Sequence, residues 1–369
     1  MTLNQDERRL ILKLIEDPLI SISQLTQELS RSRPTVISQL KRLRQKYNVQ
    51  AIFKLHILGL KNSNFFLECK SENIPILEKI IDEFPYSQYR ARIIGPKKGF
   101  FSQFHLPKSL SLDDFLSMLK NNEIIESHDE VSPQSPVIRT NFSLRNYERE
   151  RNDFNFDWEV FKKSIAKPES KYPIDAPNSS DNPLYDEFEP VDMFILATMS
   201  EDARKRGSDL LSPLGETYSS EIPPYVISRR FKFIKNKLIN SYKVQLVWEL
   251  FNIYNASIFV SRGPFEKEKI NSLAKQIQDK FPFDSLFYLI NGVNGFFWFI
   301  ASPPSHFPSI TSLIWEFTKD NFDYYYLDYQ TSKRYLFYDH HNFGFGLRQW
   351  KTDESYLLDQ IKEILNKRT

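Results

Sequence analysis

The chain repeats itself, and this duplication constrains its fold more than any other feature. The segment PTVISQLKRLRQ at residues 34–45 returns as PYVISRRFKFIKN at 224–236. A longer segment, FPYSQYRARIIGPKKGFFSQFHLP at 84–107, returns as FPFDSLFYLINGVNGFFWFIASP at 281–303. Order and intervening distances agree apart from small insertions, with a register of about 190 to 197 residues. We therefore expect two units of similar fold within the 369 residues.

Each copy begins with a pattern typical of a helix-turn-helix. In the first copy, apolar residues recur at helical spacing after the cap residue Asn4, and Asp17-Pro18 ends that helix. The segment SISQLTQEL supplies a second helix, and a third begins at Ser32 and Pro34. The following VQAIFKLHI alternates like a strand and is expected to form a wing. Together these elements predict a winged helix-turn-helix.

The third helix of the first copy is strongly basic. Residues 30–50 carry six Lys or Arg and no Asp or Glu, whereas the whole chain has 49 basic and 47 acidic residues. A carboxylate on a helix lying in the major groove would repel the DNA backbone, so we predict that this surface binds double-stranded DNA. The alternative is a solvated amphipathic helix. The predicted DNA contacts are Arg31, Arg33, Thr35, Ser38, Gln39, Lys41, Arg42 and Lys46 in the first copy, and Tyr225, Ser228, Arg229, Arg230, Lys232 and Lys235 in the second.

After the wing, each copy alternates strands and helices in the order β-α-β-β-α-β, which predicts a ferredoxin-like domain. The fold class is thus α+β, a tandem repeat of a winged helix-turn-helix followed by a ferredoxin-like domain. The two heads are expected at 1–60 and 191–250, the ferredoxin-like domains at 61–132 and 251–331, and extensions ending in a helix at 133–166 and 332–369. Residues 167–190 contain five prolines and are expected to form a linker.

This arrangement resembles the Lrp/AsnC, or feast/famine, family of prokaryotic transcription regulators. The resemblance rests on ISQLTQELSRSRPTVISQLKRLRQKYNV followed by LGL at Leu58 to Leu60. The second copy is more diverged, with an insertion, GETYSSEIPP at 215–224, before its third helix. The resemblance implies a sequence-specific DNA-binding transcription regulator that forms homo-oligomers, and in some members a small amino-acid effector.

An effector would be held, by this resemblance, in a Gly-x-x-Asp-type turn between the middle strands of the ferredoxin-like domain. Neither matching turn has the acidic residue that an amino-acid ammonium group needs. Hairpin formation alone is the simpler interpretation, and the two lysines of the first turn would suit an anion better. The residues of the two turns are Gly95, Lys97, Lys98, Gly99, Gly292, Asn294 and Gly295.

The sequence contains no local motif of an enzyme. The six histidines show no metal-ligand spacing, and there is neither a phosphate-binding Gly-rich loop nor a nucleophile elbow. We therefore expect no catalysis, no metal and no cofactor. One alternative comes from relatives of the family that are tetrapyrrole (siroheme-type) decarboxylases with the same architecture, for which His105 and Arg92 would serve. A second alternative is a winged-helix protein-interaction module that uses the aromatic strands GFFWFI and FDYYYLDY.

The duplication also predicts how the molecule assembles. If the two ferredoxin-like sheets pack face to face, the chain forms an intramolecular pseudo-dimer. A larger homo-oligomer is the alternative. The single Cys69, the charged N-terminal segment and the absence of a long apolar run predict a cytoplasmic protein without membrane contact, and the predicted DNA binding makes it nucleoid-associated.

Overall fold

The computed structural model describes residues 3–173, 182–210, 222–263, 265–319, 321–335 and 340–367. The helices are α1 (Gln5–Glu16), α2 (Ile22–Glu28), α3 (Arg33–Leu43), α4 (Ile74–Glu83), α5 (Asp113–Asn121), α6 (Trp158–Ile165), α7 (Pro190–Glu201), α8 (Pro224–Lys237), α9 (Lys267–Lys280), α10 (Phe307–Thr318) and α11 (Glu354–Asn366). The strands are β1 (Tyr47–Phe53), β2 (Leu60–Glu68), β3 (Ser87–Ile94), β4 (Gly99–Pro107), β5 (Ser127–Glu130), β6 (Ile138–Thr140), β7 (Tyr147–Glu148), β8 (Asp153–Phe154), β9 (Ile239–Leu246), β10 (Asn255–Arg262), β11 (Asp284–Leu289), β12 (Gly295–Ala301), β13 (Asp323–Arg334), β14 (Phe343–Gly344) and β15 (Gln349–Trp350). Most of the predicted insertion at 215–224 lies outside the described residues.

The first head consists of α1, α2 and α3, and its helices start where the sequence predicts. Asn4 caps α1 by accepting from the backbone NH of Glu7, and Ser32 caps α3 by accepting from that of Thr35. The apolar side chains that face inward between the helices are fully buried, among them Leu10, Ile11, Leu14, Leu25, Val36 and Leu43. In the second head, α7 and α8 occupy the corresponding places in the chain.

The strand predicted to be a wing has a different partner. β1 pairs with β9 of the second head in an antiparallel ribbon that runs from Tyr47 opposite Leu246 to Phe53 opposite Ile239. The alternating pattern predicts the strand itself, but an isolated strand pattern does not reveal which edge the strand will join. The ribbon ties the two heads together.

The ferredoxin-like domains have the expected strand orders, β5-β2-β4-β3 and β13-β10-β12-β11, and they join through β3 and β13 into one nine-stranded sheet that ends with β6. This sheet curls on itself. The rings of Phe101 on β4 and Phe297 on β12 stack 5.3 Å apart, and Phe66 stacks on Tyr325 at 4.2 Å. The α+β tandem fold is thereby confirmed.

The extension of each copy packs on the other copy. β6 of the first copy pairs with β11 of the second, and the end of β13 pairs with β3 of the first. Helix α6 lies against α9, and α11 lies against α4. The described part of the chain thus forms an intertwined pseudo-dimer. None of its described helices has the length and apolar character needed to cross a membrane.

Candidate functional site

A cavity of about 550 Å³ lies between the two halves, within the size range of small-molecule sites. The inner face of the curled nine-stranded sheet and the β1–β9 ribbon line it. Phe101 and Phe297, which occupy equivalent positions in the repeat, both line it. The cavity therefore straddles the pseudo-two-fold axis and is built by both copies.

Two equivalent rows of side chains cross the sheets beside this cavity. On the first row, Arg334 lies opposite Tyr89, which lies opposite Gln103. On the second row, Arg139 lies opposite Leu286, which lies opposite Phe299. All six side chains line the cavity. Each half therefore contributes one arginine at the same place, from the strand that its extension adds to the other half.

The two arginines give the cavity a positive character. Arg334 donates a hydrogen bond from Nη1 to the Oε1 atom of Gln50. The Arg139 side chain is exposed to the cavity, and within the described residues no carboxylate or carbonyl bonds to its guanidinium. Burial, and next the charge of Arg334, lower the pKa of Arg139 to about 10. A guanidinium in such a place calls for an anion, because uncompensated charge in a partly desolvated site is costly.

The remaining charged groups of the lining leave the net charge of the described cavity lining positive. Lys243 donates to Asp284 at 2.7 Å, and Asp284 also accepts from Gln245 at 3.0 Å and from the indole of Trp248 at 3.1 Å. Asp284 is the only carboxylate of the described lining, and its oxygens are occupied by these donors. Arg44, in the turn that ends α3, adds a fourth cation to the lining. The cavity is therefore suited to an anionic ligand.

His105, predicted as a decarboxylase residue, lies beside this cavity. It follows Phe101 and Gln103 on the same face of β4. Burial, and next the charges of Arg139 and Arg334, lower the pKa of His105 to about 3, so its imidazole is neutral at physiological pH.

Arg92, predicted together with His105, is not part of this site. Its guanidinium donates to both carboxylate oxygens of Glu78 on α4, at 3.0 and 2.9 Å, on the helix-covered side of the sheet. The basic residues that do converge are Arg139 and Arg334. No local sequence pattern indicates this pair, because strands from opposite halves bring together residues 195 positions apart.

The predicted DNA surface of the first head is partly retained. Arg33, Thr35, Ser38 and Lys41 are exposed on α3, and Gln39 is partly exposed. Thr35, Ser38, Gln39 and Arg42 line a shallow polar groove together with Arg149 of the extension. Arg31 forms an ion pair with Asp6 at 3.1 Å, and Arg42 forms one with Glu7 at 3.3 Å.

Two predicted DNA contacts must be corrected. Lys46 is buried and bonds to the carboxylate of Glu7 at 3.0 and 3.1 Å, so it holds α1 against the end of α3. Arg230 is buried in the second head and bonds to Asp192 and Glu189. Both cations form ion pairs inside their own heads, because a buried charge requires a partner, and neither is available to contact DNA.

The other predicted residues of the second head remain at the surface. Tyr225 is 71% exposed, and Ser228, Lys232 and Lys235 are exposed along α8. Arg229 is exposed but forms an ion pair with Glu189 at 3.2 Å.

The two turns considered for an effector have the geometry of hairpins. A Cβ atom on Gly99 would lie 2.1 Å from the carbonyl oxygen of Leu67, and one on Gly295 would lie 1.9 Å from that of Ser261. These equivalent glycines therefore allow a neighbouring strand to approach. The lysines lie at the turn tip, where Lys97 donates to Ser127 at 2.8 Å and Lys98 is exposed. Gly95, Gly292 and Asn294 complete the turns, and Asn294 donates to the carbonyl of Phe265 at 3.0 Å.

Over the part of the chain that the structure describes, no group of three or more His, Cys, Asp or Glu side chains could hold a metal ion.

No protein-family profile matches this chain, and no curated protein sequence matches it. Solved structures do match. Crystal structures of the siroheme decarboxylase NirDL, alone and in complex with an iron-uroporphyrin III analogue, are similar over 98% of this chain and 99% and 100% of theirs. Each has a TM-score of 0.51, with 11% and 10% sequence identity, which establishes a shared fold.

Lrp/AsnC regulators are also found, over part of the chain. E. coli AsnC matches 38% of this chain and 98% of its own, at 16% identity and a TM-score of 0.31. That similarity is too low to carry an argument of its own. The full-length match corrects one expectation: the prediction that the chain is not an enzyme is contradicted by these two structures, which match the complete tandem architecture and are those of an enzyme.

Proposed function

We propose that this protein is a decarboxylase that removes CO₂ from carboxylate side chains of a tetrapyrrole of the siroheme type, bound in the cavity between the halves. The observation that carries the proposal is Arg139, an arginine exposed to an aromatic-lined cavity and bonded to no described acid. The full-length fold similarity to a siroheme decarboxylase supports it.

The chemistry of such a substrate fits the lining. A tetrapyrrole is a flat conjugated ring with several carboxylates at its edge. Phe299, Trp248 and Tyr329 offer aromatic faces to a flat ring, and Arg139 and Arg334 offer bidentate donors to carboxylates at two places. Both copies contribute to this binding surface, so the proposed activity requires the complete tandem.

Decarboxylation requires a proton at the end of the reaction. The bond between the carboxylate and its methylene carbon breaks, the electron pair remains on that carbon in conjugation with the ring, and CO₂ leaves. A protein group must then protonate the carbon. His105 is one candidate, because a substrate carboxylate beside Arg139 and Arg334 would offset their charges and raise the pKa of His105 from its low value. Tyr89 is the other.

The test is incubation of the purified protein with siroheme and mass spectrometry of the tetrapyrrole. We expect loss of CO₂ with the wild type and a decrease of at least about 10-fold in kcat/KM with Arg139→Gln or Arg334→Gln, since each removes a charge-assisted bond. Arg145→Gln is the matched control, because the Arg145 side chain is 75% exposed in a surface pair with Glu16. An unchanged siroheme mass with wild-type protein would rule out the proposal for this substrate.

A second candidate function is DNA binding by the first head. It is favoured by Arg33 and Lys41, two exposed cations on α3, a helix that also exposes Thr35 and Ser38. This function is compatible with catalysis in the cavity. Selection of bound DNA from a random pool at stated salt tests it, and recovery of no motif would remove sequence-specific recognition.

A further inference from the structure

Each of the two equivalent rows of the cavity has an arginine at the same position. The other side chains are polar on the first row and apolar on the second. Tyr89 and Gln103 on the first row are replaced by Leu286 and Phe299 on the second. The next position on the same strand face continues the difference, since the equivalent of His105 is Ala301. One half of the cavity thus carries hydrogen-bonding side chains where the other carries apolar ones.

Apart from the guanidinium of Arg139, the second row has no group that can supply a proton to a substrate carbon. Leu286, Phe299 and Ala301 have no ionisable group. The nearby hydroxyl of Ser285 bonds to Thr140 at 2.8 Å, and Thr140 itself donates to the carbonyl of Phe283, so the Ser285 proton is directed away.

Lys243 is the remaining cation on that side. It is held by Asp284 at 2.7 Å, and Asp284 is in turn bonded to Gln245 and Trp248. Apart from Arg139, the described polar groups of the cavity lining on the side of the second row are therefore satisfied within the protein.

That side instead forms a continuous aromatic surface. Trp248 stacks on Tyr329 with 4.2 Å between centroids and lies 5.8 Å from Phe299. A planar conjugated ring gains most from such a surface by stacking on it. The apolar row and the aromatic surface are thus suited to hold a ring, with Arg139 at its edge for one carboxylate.

The first row has the groups that the reaction needs. Tyr89 pairs with Arg334 across the two strands, and both side chains line the cavity. Burial raises the pKa of Tyr89, which keeps its hydroxyl protonated until a stronger base takes the proton. A carbanion on a methylene carbon is such a base.

We infer that the two rows have divided the work of the site: the second row anchors the ring and a carboxylate that is retained, and the first row removes a carboxylate, with Tyr89 as the proton donor. This inference rests on the proposed function. At the first row the bond between the carboxylate and the methylene carbon breaks and CO₂ leaves. The pair left on carbon takes the Tyr89 proton to give a methyl group, and solvent reprotonates the phenolate.

The experiment compares one substitution on each row in the full-length protein. Tyr89→Phe removes only the hydroxyl, so we expect kcat for siroheme to fall about 100-fold while the Kd for iron-uroporphyrin III changes less than about threefold. Leu286→Ala removes anchoring contacts, so we expect that Kd to rise about 10-fold while kcat at saturation stays within about threefold. Tyr254→Phe is the control for loss of a tyrosine hydroxyl, because Tyr254 is 51% exposed and outside the cavity lining.

Retention of the wild-type kcat by Tyr89→Phe would overturn the inference, as would an equal loss of kcat in Leu286→Ala. Both outcomes presuppose an active wild type. A wild-type protein that binds iron-uroporphyrin III but releases no CO₂ from siroheme would instead refute the proposed function, so the two failures are distinguishable.

Discussion

At the scale of single residues, the cavity holds groups that folding alone does not favour. Arg139 and Arg334 interact unfavourably with each other, and both interact unfavourably with a protonated His105. Replacing such groups by apolar ones is commonly neutral or stabilising. The anionic ligand that we propose would compensate these charges and would account for the two arginines at equivalent positions in an otherwise divergent cavity.

The cost of burying His105 should appear in the pH dependence of the free energy of unfolding. Its folded-state pKa of about 3 lies below the ordinary value of 6.5, so the unfolded chain binds a proton that the folded chain rejects. Stability is therefore full above about pH 6.5 and falls as the pH decreases toward 3, by at most roughly 1.4 kcal/mol per pH unit. We expect His105→Asn to flatten this slope in urea unfolding at pH 7 and pH 5. His128→Asn, a change at an exposed histidine, should leave the slope as in the wild type. Parallel slopes for His105→Asn and the wild type would contradict the prediction.

At the scale of secondary structure, the sequence predicted the helices and strands themselves better than it predicted which strands pair with each other. The cap at Ser32 and the β-α-β-β-α-β order are local signals, and both agree with the structure. The pairing of β1 with β9 is set by which edge lies near in the folded molecule, so the same strand pattern was compatible with a wing. Arg139 was not predicted as a site residue, because its strand is only three residues long and its pairing with the other half is not visible in the sequence.

Asp82 on α4 stabilises one long-range strand pairing, that of β13 with β3. It accepts from Arg90 at 2.6 Å, from Lys333 at 2.7 Å and from the hydroxyl of Tyr335, and so ties β13 of the second copy to the first. Burial alone would raise the pKa of Asp82, but these donors outweigh it and lower the pKa to about 2. The stabilisation is complete above the ordinary value of 3.8 and is lost as the pH falls toward 2.

We expect Asp82→Asn to lower the free energy of unfolding by about 1–2 kcal/mol at pH 7, because it weakens the charge-assisted bonds from Arg90, Lys333 and Tyr335 in a partly exposed network. Hydrogen exchange should increase at the end of β13, where Lys333 and Arg334 pair with β3. Asp359→Asn, a change at an exposed position on α11, serves as the control. Unaltered exchange in β13 would show that Asp82 does not hold this strand in place.

At the scale of the whole molecule, the crossed extensions explain why two copies share one chain. Each half lends a strand and a helix to the other. Trp158 of the first extension donates to Nδ1 of His306 at 3.1 Å, and Tyr86 of the first copy donates to the carbonyl of Lys351 at 2.6 Å. Because each row is completed by an arginine on the strand that the other half supplies, the complete cavity lining requires both halves. Tethering keeps the effective concentration of the halves on the order of millimolar and frees the two rows to diverge.

The first half alone, residues 1–166, therefore lacks much of its own packing. It would expose the inner sheet face around Phe66 and Phe101, which are at most 2% exposed in the whole chain, and would leave β1 without a partner. Exposed apolar sheet faces and strand edges drive association. We expect residues 1–166 to self-associate or aggregate in size-exclusion chromatography with light scattering, while the full chain runs as a monomer. Separately expressed residues 182–369 should restore a soluble one-to-one complex when co-expressed, because they return the partner strands and helices. A well-folded monomeric first half beside a dimeric full chain would place the assembly interface elsewhere and refute the pseudo-dimer.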